Sequence, residues 1–375
     1  MMTTTSSPDS DDAARFCKER LTLAREKRGL TKQQLADLCQ VTRRTVTSWE
    51  MGAIEHPPVE LLAKELQFPA EYFLSGDPPL IDDESVSFRA LSSTTARQVR
   101  SVMASASLAV EFSDWIDQHY NLPASSFPDR SESSQVKATV AAEEMRAFWS
   151  LSPTPVKNML ALLERNGCRV FSLPAFDREV DALSFWREGV PFILLNTDRS
   201  GERMRFDLAH ELGHLVLHRN QRLGRSRSIE QEAHEFAGAL LIPADALYEQ
   251  VVGQLRFDDL FKLKRYWRVS AMAMVERLWR LELISEWTRR QWIVELTQQG
   301  YRLGEPDGRQ PESSRLLRQI FERSREDGWT LQRIAQALRI HPRELDSLVF
   351  GLALSAVDGE GISAPRLAGH LRRVQ

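Results

Sequence analysis

Four of the eight histidines in this 375-residue chain, His210, His214, His218 and His234, fall within one stretch of 25 residues. His210 and His214 are four apart. On a helix that spacing sets two side chains about 40° apart on one face, so both imidazoles can reach one ion. Glu211 stands beside them, where a general base must stand to take a proton from an attacking water. The flanking residues, Met204 to His218, are apolar at helical spacing, which predicts a partly buried helix that keeps bulk water out. The plainer reading is a helix with two solvated or core histidines, since such a run also arises by chance. A hydrolytic tetrahedral zinc site needs a third protein ligand and one open position. Glu230 fits that need, because Ala233 and Ala237 follow it on the same helical face and small residues there let two helices come close. Glu232 is the alternative, and acids that merely coat a solvated helix are the plain reading of both. His218, only four residues past His214, is expected beside the ion's ligands rather than among them.

A second constellation lies near the start of the chain. Thr31 and Thr42 each precede a short helical pattern and can cap it. Leu35, Ala36 and Leu38 on the first helix, Val41 in the turn, and Val46 and Trp49 on the second are the expected core. That leaves Arg43, Arg44, Thr45, Thr47 and Ser48 outward on the second helix, where base edges are read, with Lys32 and Gln33 placed for phosphate. From Ala14 to Pro57 there are nine Lys/Arg against five Asp/Glu, on a chain whose net charge is only −3. A helical protein-interaction domain would pack in the same way.

The length calls for two or three domains. The expected organisation is a disordered tail (1–13), a five-helix-type helix-turn-helix domain (14–74), a linker (75–94), a central helical zincin domain (95–302), a small helical unit (315–351) and a tail (352–375). The fold class is mainly α (α+β). Its small sheet is expected to be antiparallel, with strands at Cys168–Leu173, Asp181–Arg187 and Val190–Asn196. The turn Arg187-Glu188-Gly189 should close the last two into a hairpin. Residues 315–351 repeat the helix-turn-helix pattern weakly from Thr330, but lead into His341-Pro342 and acids, which predicts a packing or dimerisation unit. Of the tryptophans, Trp149, Trp267, Trp279, Trp287 and Trp292 are spaced as core or helix-contact residues. Three scattered cysteines give no disulfide framework and no thiolate metal site. Neither a secretory leader nor a membrane span is evident, so a cytoplasmic protein is expected.

The run Arg205-Phe-Asp-Leu-Ala-His-Glu-Leu-Gly-His-Leu-Val-Leu-His, then Glu230-x-x-Ala-x-x-Phe-Ala-x-x-Leu-Leu-x-Pro243, resembles the ImmA/IrrE family of metallopeptidases. So do Asp181-Ala-Leu-Ser, Pro191-Phe-Ile-Leu-Leu-Asn196 and Leu263-Lys-Arg-Tyr-Trp-Arg-Val-Ser270, and the likeness spans about 140–300. It implies zinc on His210, His214 and Glu230, with Glu211 as catalytic base. The chain departs from the family at His234, where Asn or Asp is usual: His234 is expected beside the ligands, orienting a bound histidine, with competition as a ligand or altered activity as the alternatives. Residues 14–66, including Trp49-Glu-x-Gly52, are similar to the XRE/Cro-like repressors. Together the two resemblances imply a prokaryotic regulator bound to operator DNA, as a possible homodimer, that cleaves a protein substrate such as a repressor. The competing expectation is a DNA-binding repressor or antitoxin-like protein whose metal domain senses a ligand and cleaves nothing.

Overall fold

The computed structural model describes residues 15–81, 86–90, 95–128, 136–173, 180–219, 227–301 and 304–353. Both expected tails therefore lie outside the described residues, apart from Leu352 and Ala353, as does part of the expected linker.

Thr31 and Thr42 open helices because their hydroxyls accept backbone N–H groups that a helix start leaves unpaired, from Gln34 and Thr45 at 3.2 Å. The first domain is five helices, α1 (Lys18–Lys27), α2 (Lys32–Leu38), α3 (Arg43–Glu50), α4 (Val59–Leu66) and α5 (Ala70–Phe73). Between α2 and α3 the chain turns through Gln40 at φ 55°. The Val41 N–H bonds back to the Ala36 carbonyl at 2.9 Å. Leu35, Ala36, Val46 and Trp49 are buried, as their spacing predicts. Leu38 is not: it is 45% exposed, and Cys39 takes the inward place. Cys39 sits four residues after Leu35 and three after Ala36, at the centre of the buried face, whereas Leu38 falls to its side. Glu50 ties the three helices together, pairing with Arg25 at 2.5 Å and Lys32 at 2.9 Å.

The rest of the chain gives β1 (Ser87–Ala90), α6 (Ala96–His119), α7 (Ala138–Phe148), α8 (Met159–Arg165), β2 (Arg169–Ser172), β3 (Val180–Arg187) and β4 (Val190–Leu195). The long helices α9 (Gly201–Leu217) and α10 (Arg227–Leu241) follow, then α11 (Ala244–Gln250), α12 (Phe257–Trp267), α13 (Ala271–Arg280) and α14 (Glu286–Gln298). A last group is α15 (Arg315–Glu326), α16 (Leu331–Ala337) and α17 (Pro342–Val349). The four strands form one sheet in the order β1-β3-β4-β2. β3 and β4 are the expected hairpin, closed by Glu188 and Gly189 at φ 51° and 80°. Two positive-φ residues match the strands' right-handed twist, and Gly189 adopts that conformation without strain. The sheet is mixed rather than antiparallel, because β2 pairs parallel to β4. The hairpin fixes the direction of β4, and β2 takes its free edge running the same way. The fourth strand, β1, pairs antiparallel with β3 and arises within the stretch read from sequence as a linker.

Helix α6 runs through the middle of the protein, buried along most of its length. Helix α1 lies against it, held by Arg20 to Glu111 at 2.7 Å and by the Lys27 ammonium donating to the Ser105 hydroxyl at 2.9 Å. Arg28 of the loop after α1 reaches Glu344 on α17 at 2.7 Å. The first domain is thus docked on the body by charged pairs with little access to water, where losing one partner leaves the other stranded.

The α15–α17 group repeats α1–α3. Thr330 caps α16 as Thr31 caps α2, and Arg339 turns at φ 55° as Gln40 does. Ile340 N–H bonds to the Ala335 carbonyl as Val41 N–H does to Ala36. Yet α17, the counterpart of α3, packs against β2 and α6, and its Leu345, Leu348 and Glu344 are buried. Its reading face is spent on packing. Trp267 and Trp292 are buried as expected, but Trp287 is 73% exposed, since α14 turns that side outward. No helix among the described residues is long and apolar enough to cross a membrane.

Candidate metal centre and DNA-binding surface

Ser200 caps α9 by accepting the Arg203 N–H at 3.3 Å. From there the helix runs buried from Gly201 to Val216 with little interruption, under β3 and against α10. α9 and α10 come close because of small residues. A Cβ on Gly213 would lie 3.2 Å from the Cα and carbonyl oxygen of Ala233 and 3.1 Å from the Phe236 ring. Ala233 and Ala237 are fully buried in the same seam.

Across that seam the donor atoms converge. His210 Nε2 and His214 Nε2 are 3.1 Å apart. The Glu230 carboxylate oxygens lie 3.3 Å from His210 Nε2 and 3.5 Å from His214 Nε2. One ligand atom from each residue lies within 4.8 Å of the others. Both histidines are almost fully buried, while Glu230 keeps a side open to solvent. Two imidazole nitrogens and one carboxylate suit zinc, and three donors leave a fourth position open.

Glu232 turns elsewhere. Its carboxylate meets His218 Nε2 at 3.0 Å, and His218 Nδ1 is 3.1 Å from His214 Nδ1. The chain Glu232–His218–His214 thus engages the one nitrogen of His214 that faces away from Glu230. His234 stands at the edge, its ring centroid 5.8 Å from that of His210 and 4.7 Å from that of Phe206. It is outside the three-donor group.

Glu211 is fully buried. The Ser184 hydroxyl on β3 donates to its Oε2 at 2.6 Å. Sequence reasoning missed Ser184 as a site residue, although a hydroxyl set among apolar neighbours (Ala182, Leu183, Phe185) within the run Asp181-Ala-Leu-Ser was the available signal. Removing that hydroxyl takes a charge-assisted hydrogen bond from a buried carboxylate, a loss of about 1.5 kcal/mol. Ser184→Ala is expected to lower any hydrolysis that depends on Glu211 roughly tenfold with metal content unchanged, as read by steady-state kinetics beside metal analysis. An unaltered kcat would show that Ser184 does not position Glu211.

On the first domain, Arg43 and Arg44 are exposed at the start of α3, and neither makes an ion pair among the described residues. Thr45, Thr47 and Ser48 are half-buried. Thr45 Oγ1 shares a hydrogen with Thr42 at 2.9 Å, and the Thr47 hydroxyl donates to the Arg43 carbonyl. Gln33 is exposed and donates to Asp37. Lys32 is engaged with Glu50.

No curated protein matched the chain. Residues 21–64 match the family model described as helix-turn-helix. Residues 163–279 match the peptidase family model described as the IrrE N-terminal-like domain, which takes in β2 to β4, α9, α10 and most of α13. The chain therefore joins a helix-turn-helix DNA-binding domain to an IrrE-like metallopeptidase domain.

Proposed function

We propose that this protein is a DNA-binding transcriptional regulator whose zinc-dependent peptidase domain hydrolyses a peptide bond in a partner regulator, such as a repressor. The reading rests above all on one observation: the donors of His210, His214 and Glu230 converge on one point, with Glu211 next to the two histidines on α9. Zinc held there would polarise the scissile carbonyl and favour attack by water near neutral pH; manganese is the competing ion. Glu211 takes the proton from the attacking water and later delivers it to the leaving amine. Ser184 keeps its carboxylate aimed while burial excludes other water. The His-Glu-x-x-His plus glutamate set makes it a gluzincin-like endopeptidase. Arg43 and Arg44 read the operator, with Thr45, Thr47, Ser48, Gln33 and Lys32 around them, and a homodimer would present two such helices to an inverted repeat.

His218 and Glu232 serve the centre as positioning residues. A hydrogen bond to the far nitrogen of His214 fixes its tautomer and ring angle, and loss of such a partner typically weakens metal binding about 10- to 100-fold. His218→Ala should therefore raise the zinc dissociation constant by that factor in competition with a chromophoric chelator. An unchanged constant would remove the positioning role.

A second reading is a regulator whose metal domain senses a ligand without cleavage. A buried Glu211 held by Ser184, outside the donor set, counts against it, because a binding-only centre has no use for a base. The discriminating experiment compares newly formed protein N-termini in cells carrying wild type or Glu211→Gln. A regulator cut only with wild type supports the peptidase; no wild-type-dependent cut in any protein favours the sensor.

A further inference from the structure

Beside the candidate metal centre, and lined by none of its three donors, lies a cavity of about 230 Å³ between α7, α9, α10 and α13. Phe206 and His234 form the wall nearest His210. Gly238, one turn after His234 on α10, leaves its part of the wall without a side chain, and a Cβ there would come no closer than 3.9 Å to the Arg277 stem. The space fits one amino-acid side chain better than a larger ligand.

Arg277 gives this cavity its chemistry. It is only 5% exposed. Its Nε donates to the Ile242 carbonyl at 2.9 Å, just past the end of α10. Among the described residues its guanidinium makes no ion pair and its terminal amino groups make no hydrogen bond. Glu143 and Tyr248 attract it only through space. The carboxylates that share the lining are already matched, Glu235 by Arg280 at 2.5 Å and Glu276 by Arg289 at 2.5 Å. Burial pushes Arg277 down to about 10, so it stays cationic near neutral pH without its usual hydration. A buried cation of this kind is costly until a carboxylate meets it, and its planar fork suits one well.

We propose that this cavity is a substrate subsite that takes an acidic side chain flanking the scissile bond, with Arg277 as its partner. The inference rests on the reading of His210, His214 and Glu230 as a peptidase centre, and it makes the preferred substrate an acidic segment. The Nε bond to Ile242 is a helix-end contact that leaves the two terminal amino groups for the ligand.

The test uses binding to the zinc-loaded full chain, followed by calorimetry, with three succinyl hydroxamates. The first carries a carboxyethyl side chain and an amide C-terminus. The second replaces the side chain with carbamoylethyl, and the third adds a free C-terminal carboxylate to the second. The first should bind wild type roughly 10- to 100-fold more tightly than the second, the scale of a charge-assisted pair. Arg277→Gln should erase that gap, and Arg277→Lys should keep part of it. Should Arg277→Gln fail to fold, the wild-type comparison with Arg277→Lys still decides. Tight binding of the third compound alone would overturn the side-chain assignment in favour of a chain terminus. Equal affinity for all three would overturn the subsite while leaving the metal centre standing. Binding of none would overturn the centre, and the subsite with it.

Discussion

Glu211→Gln is expected to keep its zinc and its fold while peptide hydrolysis falls by at least two orders of magnitude, the usual scale for removing a general base. The amide preserves size and can still accept from Ser184, whose hydroxyl lies 2.6 Å from Oε2. It cannot take the proton from the attacking water. Because Glu211 is outside the group formed by His210, His214 and Glu230, metal content should not follow activity down. Kinetics on a cleaved regulator, with zinc measured in the same samples, checks this. Hydrolysis at the wild-type rate would show that the base lies elsewhere; zinc lost together with activity would show that Glu211 is a ligand.

The second large effect is expected on DNA. Arg43 and Arg44 are exposed neighbours at the start of α3, and adjacent helical residues point about 100° apart, so one can face the groove while the other meets phosphate. Lys32 is tied to Glu50, whereas neither arginine makes an ion pair among the described residues. Loss of the base-reading arginine should cost roughly 1–3 kcal/mol and relax specificity at one position, and loss of the phosphate contact should flatten the salt dependence by about one charge. Arg43→Ala/Arg44→Ala together should therefore weaken operator binding by well over tenfold in gel shifts at stated salt. The intact chain is the right material, because α1 is docked on α6 through Arg20 and Lys27. A double variant that binds as tightly as wild type, or a wild type without sequence preference, would make the first domain a protein-interaction module.

What the sequence disclosed was mostly local. The histidine pair, the base between them and the small residues on the next helix follow from helical period. The same period favoured Glu230, which shares a helical face with Ala233 and Ala237, over Glu232, and packing sets the two apart in the same sense: Glu230 faces the histidine pair, while Glu232 meets His218. The caps at Thr31 and Thr42 and the β3–β4 hairpin are likewise short-range. Contacts between residues distant in sequence were not legible. β1 and β2 find their partners on β3 and β4 through edges whose identity no local pattern encodes. Ser184 meets Glu211 from 27 residues away. Leu38 was misplaced because α2 stops at that residue, so one helical step decides between it and Cys39. The weak repeat at α15–α17 was visible, but its burial of α17 against β2 and α6 was not.

The most direct test of the central claim is metal stoichiometry in the full chain. Purified wild type should hold about one zinc per chain, and His210→Ala, His214→Ala and Glu230→Ala should each lose it. The donor atoms of all three lie within 4.8 Å of one another, so no pair should hold the ion at full occupancy. Zinc at about one per chain in wild type and near zero in the His210→Ala/His214→Ala double variant is the predicted result. Full occupancy in that double variant would contradict it.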